Sequence, residues 1–115
     1  MTGRDFREYV EDIAKYMNYA LQFVEDMDFD GFASDPKTVI AVTKCIEVVG
    51  EAAKHIPDAL RIKYPDIPWR EMAGMRDRLV HGYFTVELEI VWQTVIDEFP
   101  QILPLMEKAL IDMDN

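Results

Sequence analysis

The chain is short of the residues that build covalent or metal-based scaffolds. It has one cysteine, Cys45, and two histidines among 115 residues. A lone cysteine excludes an intrachain disulfide and a thiolate metal cluster. Cys45 sits in an apolar run, where an inert buried thiol is the expected state. Five glycines and six prolines leave few punctuation points. No Gly-rich phosphate loop is present. No apolar run approaches the roughly 18 residues that span a bilayer. The first residues, Met1-Thr2-Gly3-Arg4-Asp5, do not form a signal peptide. These absences imply a cytoplasmic protein with no membrane partner, no cofactor and no metal.

Positive charge is also scarce. Twelve Lys and Arg face 22 Asp and Glu, for a formal net charge of -10. Such a surface repels polyanions at long range, which counts against a nucleic-acid partner. The scarcity is uneven, however. Six of the twelve basic residues fall between Lys54 and His81, where only four acids occur. A local basic site on an acidic body is therefore possible. Half the residues are apolar and 30% are charged, an ordinary globular mixture. The length suits one domain, residues 1–115, with a modest core that association would help.

Between the punctuation points the apolar period is helical, and strand signals are weak. A first helix is predicted from Arg4 to Met27, ended by Asp28-Phe29-Asp30-Gly31. A second starts at Asp35-Pro36, since Asp caps free N–H groups and Pro suits the first turn. Its stripe is Val39, Val42, Ile46, Val49, Ala53 and Ile56, and Pro57 stops it. Gly50 within it predicts close approach of a neighbouring helix. A short turn of helix follows over Asp58–Lys63, then a turn through Tyr64–Pro68. The next helix carries Trp69, Met72, Ala73, Leu79 and Val80 on one face, with Gly82 as its left-handed end. A last helical stretch starts near Thr85, and Pro100 and Pro104 kink or restart it. The predicted fold class is all-α, an up-and-down bundle of four to five helices.

One position breaks the pattern. The stripe of the fourth helix reads Trp69, Met72/Ala73, position 76, then Leu79/Val80, and position 76 is Arg76. A guanidinium on a packing face must be paired, sit at an interface or border a polar cleft. His81 follows five residues later, at a helix end that favours the imidazolium, and Tyr83 is two further on. This set suits cleavage of RNA without metal. Histidine can transfer the 2′-hydroxyl or leaving-group proton, and arginine can stabilise the phosphorane by bidentate hydrogen bonds. Residues five apart on a helix point about 140° apart. Distortion at the helix end, or a second copy across a two-fold axis, would resolve this, and a homodimer is the favoured expectation.

The segment Arg76-Asp77-Arg78-Leu79-Val80-His81-Gly82-Tyr83 resembles the R-x4-H-x-Y motif of the HepT-like proteins in the HEPN superfamily. The flanks agree. Ile46-Glu47-Val48-Val49-Gly50-Glu51-Ala52-Ala53 is similar to the family's second-helix signature. Tyr64–Met75 is similar to its approach to the motif, and Leu88-Glu89-Ile90-Val91-Trp92 to its next helix. The resemblance implies a dimerising HEPN-like bundle and a metal-independent endoribonuclease. Arg76 and His81 would be the catalytic pair, with Asp77 and Tyr83 in support. It also implies a toxin of a type VII-like toxin–antitoxin pair. Its partner would be an MNT-type nucleotidyltransferase, which in some family pairs adenylylates the residue matching Tyr83. Relatives often carry Arg-Asn where this chain has Lys44-Cys45. That departure keeps open an alternative: an inactive helical module that only binds the nucleotidyltransferase.

Plainer roles suit the other candidates. Asp77 is read as solvated or salt-bridging, and Arg78 as a surface or phosphate-contacting charge. Glu47 and Glu51 would pair with Lys44, Lys54 or His55. His55 would help end its helix. Trp69, Trp92 and the methionines would be core or interface. Asp28, Asp30 and Asp35 lack a cation-loop pattern and are read as turn and cap residues.

Overall fold

A computed structural model describes residues 6–81 and 85–114, without the side chains of residues 80, 81, 85 and 86. Helix α1 spans Phe6–Phe23, α2 Phe29–Ala33, α3 Pro36–Lys54, α4 Asp58–Lys63, α5 Trp69–Ala73 and α6 Met75–Leu79. Two short strands follow, β1 (Val80–His81) and β2 (Thr85–Val86). They pair antiparallel, with His81 opposite Thr85. Helix α7 (Leu88–Gln93) then runs through a wider π turn, Thr94–Glu98, into α8 (Phe99–Met113). The all-α bundle is thus the observed architecture, with α1 packed on both α3 and α8. None of the described helices is long and apolar enough to cross a membrane.

The central helix, α3, forms where its caps predict. Asp35 is extended at φ -115°, and its carboxylate accepts from the Thr38 hydroxyl at 2.8 Å and, more weakly, from the Thr38 N–H at 3.5 Å. The predicted stripe is the buried one: Val42, Ile46, Val49, Ala53 and Ile56 are in the core, and Val39 is half-buried. The hydrogen bond from Thr38 holds the Asp35 carboxyl below its ordinary value of 3.8. A carboxylate with a lowered folded pKa stabilises the fold above its unfolded pKa and loses that contribution as pH falls through the folded one. The stability of Asp35→Asn should therefore fall less steeply below about pH 4 than that of the parent. Urea titrations at pH 3 and pH 6 would measure this.

Gly50 acts as its position predicts. A Cβ there would lie 3.3 Å from the Met72 carbonyl oxygen, 3.7 Å from that of Ala73 and 3.8 Å from the Arg76 nitrogen. The missing side chain lets the α5–α6 segment lie directly on α3. The contact is backbone against backbone, so a larger residue has no flexible neighbour to displace. Gly50→Val should cost about 1–3 kcal/mol, the usual range for overpacking, seen as a lower urea midpoint.

Several boundaries differ from expectation. The first helix ends at Phe23 rather than Met27, and Asp26 takes a left-handed φ of 65°. The Asp28–Gly31 segment does more than end it: Asp28 accepts from the Gly31 N–H at 2.8 Å and caps α2. The helix expected near Thr85 begins at Leu88, because Thr85–Val86 are taken by the strand pair. As expected, α-helix restarts at Pro100: it sits in the first turn of α8, which begins at Phe99 after the π turn. The proline lacks an N–H for the carbonyl four residues back, and the preceding turn widens, so that the Phe99 N–H reaches the Thr94 carbonyl. Pro104 lies inside α8.

The largest correction concerns the motif helix. It is two short helices rather than one. Gly74 sits at φ -92°, ψ 0° between them, outside the helical region. Trp69, Met72, Met75 and Leu79 face the core, in steps of three and four. The stripe passes through Met75, and Arg76 lies one residue around the helix, exposed. Arg76 is therefore not on the packing face. Likewise His81 does not cap a helix; its backbone belongs to β1. The helix-dipole argument for its imidazolium, and the 140° angle to Arg76, no longer apply. The predicted end at Gly82 lies outside the described residues.

Candidate active site

Arg76 opens onto a cleft of about 420 Å³ between α1 and α3. The α3 wall carries Lys44, Glu47, Val48, Glu51, Ala52 and His55. Their spacing of three and four puts them on one face of the helix, beside the buried stripe. Tyr9 and Asp12 of α1 form the facing wall. Gly50 explains how Arg76 reaches this place, since the Arg76 backbone rests against the middle of α3.

Among the described residues, the cleft holds two permanent cations, Lys44 and Arg76, and three carboxylates, Asp12, Glu47 and Glu51. Arg76, Lys44 and Glu47 form no hydrogen bond or ion pair with other described residues. The Arg76 fork is thus free for a bidentate oxyanion partner. Glu51 lies 3.7 Å from His55 Nε2, as the i, i+4 spacing predicts. The His55 ring stacks on Tyr9, with centroids 4.8 Å apart and planes 9° apart.

The remaining candidates divide clearly. Asp77 is exposed beside Arg76. Arg78 reaches Glu98 at 3.2 Å, so its charge is engaged on the surface. The imidazole of His81 and all of Tyr83 lie outside the described residues. Cys45, next to Lys44, is buried, and burial pushes its thiol up to about 11. It is inert at neutral pH. Trp69 is core and donates to the Tyr64 carbonyl at 3.0 Å, while Trp92 packs half-buried on Phe32.

Sequence reasoning missed two groups. Neither Tyr9 nor Asp12 of the first helix stands out in the sequence; only tertiary packing brings them to α3. Arg61 was counted as part of a basic segment. It binds the end of α3 instead, donating to the Ala53 carbonyl at 3.0 Å and the Ile56 carbonyl at 3.1 Å. A basic residue a few positions past a Pro-ended helix was the available signal.

The family described as "Ribonuclease HepT-like" matches residues 6–109. The chain belongs to the HepT-like family. It is 43% identical over its whole length to "Putative RNase MJ0125" of Methanocaldococcus jannaschii, covering 99% of that protein. It is 41% identical to "Probable ribonuclease HepT" of Thermococcus cleftensis, over 91% of this chain and 96% of that one. It is 38% identical to "Putative RNase TTE0752" of Caldanaerobacter subterraneus, over 90% and 93%. No solved structure matches. The HepT-like assignment agrees with an all-helical bundle.

Proposed function

We propose that this HepT-like protein is a metal-independent endoribonuclease that works as a homodimer. The observation that carries the proposal is the unpaired Arg76 fork at a polar cleft, in a chain whose relatives are named as ribonucleases. The reaction is transesterification. The 2′-hydroxyl gives up its proton and attacks phosphorus, Arg76 binds the charge gathered on the non-bridging oxygens, and the 5′-oxygen leaves with a proton. His81 is the proton-transfer group. Asp77 and Tyr83 support the pair. Dimerisation would set two Arg76–His81 segments side by side and concentrate the basic part of an acidic chain.

In the cell the protein acts as the toxin of a type VII-like pair, restrained by an MNT-type nucleotidyltransferase that adenylylates Tyr83. The test is purified protein incubated with RNA in EDTA, alone and after treatment with that partner and ATP. Cleavage by the first sample and its loss in the second support the reading. The absence of cleavage in both overturns it.

The three carboxylates in the cleft, and Lys44-Cys45 in place of Arg-Asn, favour one second reading: a non-catalytic module that binds the nucleotidyltransferase. Growth arrest on expression without the partner, lost in His81→Ala, separates the two, since a module that only binds would act alike with or without the histidine.

A further inference from the structure

The α1–α3 cleft is poorly matched to a run of phosphates. Among the described residues three carboxylates line it against two cations, and a phosphate laid against Glu47 or Glu51 is repelled. The part of an RNA strand that suits a carboxylate is a base edge rich in donors. The cleft also offers a flat platform, the His55–Tyr9 stack, and the His55 side chain is 51% exposed. Aromatic faces hold unstacked bases in single-strand recognition.

The order of groups along α3 is informative. Arg76 meets the helix at Gly50. His55 lies five residues further, a rise of about 7.5 Å. Glu51 lies between, 3.7 Å from the His55 ring nitrogen. An extended nucleotide can span that distance between its phosphate and its base. A phosphate held on Arg76 would therefore leave its neighbouring base within reach of His55 and Glu51.

We propose that this cleft is a base-specific subsite for guanine, stacked on His55 and Tyr9 and read by the carboxylate of Glu51. Guanine presents two adjacent donors, N1–H and N2–H, which match the two carboxylate oxygens. Adenine and cytosine each set one donor beside an acceptor, and uracil sets its one donor between two acceptors. Each of the three turns a lone pair towards Glu51. A good bidentate pair discriminates by about ten- to a hundredfold. The strand's direction rests on the proposed ribonuclease reading, but the base subsite can be measured without turnover.

The experiment is titration of the intact protein with 3′-GMP, 3′-AMP, 3′-CMP and 3′-UMP by calorimetry. It is paired with cleavage of uridine-rich oligonucleotides that carry a single G, A or C. Binding of 3′-GMP should be at least about tenfold tighter than that of the other three. Glu51→Gln should collapse this ratio towards one, because an amide offers only one acceptor. His55→Ala should weaken all four ligands, and His55→Phe should restore them by keeping the stack. Equal binding of the four nucleotides by the parent, or an unchanged ratio in Glu51→Gln, overturns the subsite. A guanine preference in binding together with no cleavage of any oligonucleotide leaves the subsite standing and removes the ribonuclease reading instead.

Discussion

His81→Ala should lose RNA cleavage by about two to four orders of magnitude, the usual contribution of a positioned proton-transfer group. Rates on a labelled RNA in EDTA would measure it. The expectation does not depend on where a helix ends. Transesterification needs a proton taken from the 2′-hydroxyl and one given to the 5′-oxygen, and a histidine has an unperturbed pKa of about 6.5 that suits both. The chain has only one other histidine, His55. It is stacked on Tyr9 and lies beside Glu51. His81→Ala should retain the parent's thermal midpoint, which separates lost chemistry from lost structure. Undiminished cleavage by a folded His81→Ala protein would remove this residue from the mechanism.

Arg76→Ala should be nearly as damaging. Removing one well-placed donor to a developing oxyanion costs about 2.7–4 kcal/mol, or a hundred- to a thousandfold in kcat. The variant should fold normally, because Arg76 is exposed and its side chain forms no hydrogen bond or ion pair with the described residues. Arg76→Lys should recover little. An ammonium is a point charge, and the planar fork that grips two phosphoryl oxygens is lost. The split between constants is diagnostic. Loss confined to KM would mean that Arg76 only binds RNA, whereas loss in kcat places it at the transition state.

The place of Arg76 at a polar cleft was legible in the chain for a partly mistaken physical reason. The apolar stripe of the motif helix was drawn through Arg76, which made it a charge in the wrong place. The structure draws the stripe through Met75 instead, a choice equally consistent with steps of three and four and fully apolar. Gly74 hides the distinction. A single glycine inside a helical pattern is tolerated, so periodicity does not reveal that the helix breaks there. The bundle itself was easier to see. Asp35-Pro36 and Pro57 bracket α3 with strong local chemistry, and the absence of a side chain at Gly50 has one economical explanation. The β1–β2 pair was out of reach, since two residues per strand are too few to show an alternating period. The cleft was out of reach for a different reason. Lys44, Glu47, Glu51 and His55 could be placed on one helix face by counting, but Tyr9 and Asp12 join them only through the packing of α1 on α3. The resemblance to the HepT-like family supplied the chemistry that counting could not.

The acidic balance of the chain also takes a more definite form. The net charge of -10 was an objection to RNA as a partner. Within the cleft the same sign of charge becomes a means of choosing a base edge over a phosphate. On the proposed ribonuclease reading, affinity for RNA would depend on a few cations, Lys44 and Arg76 among them, and should weaken as salt rises.

The most direct measurement of the account is the chemistry of the cut ends. RNA cleaved by the protein in EDTA should carry 2′,3′-cyclic phosphate on one fragment and 5′-hydroxyl on the other, as attack by the 2′-oxygen requires. Fragments ending in 3′-hydroxyl and 5′-phosphate, or cleavage that appears only when a divalent metal is restored, would contradict it.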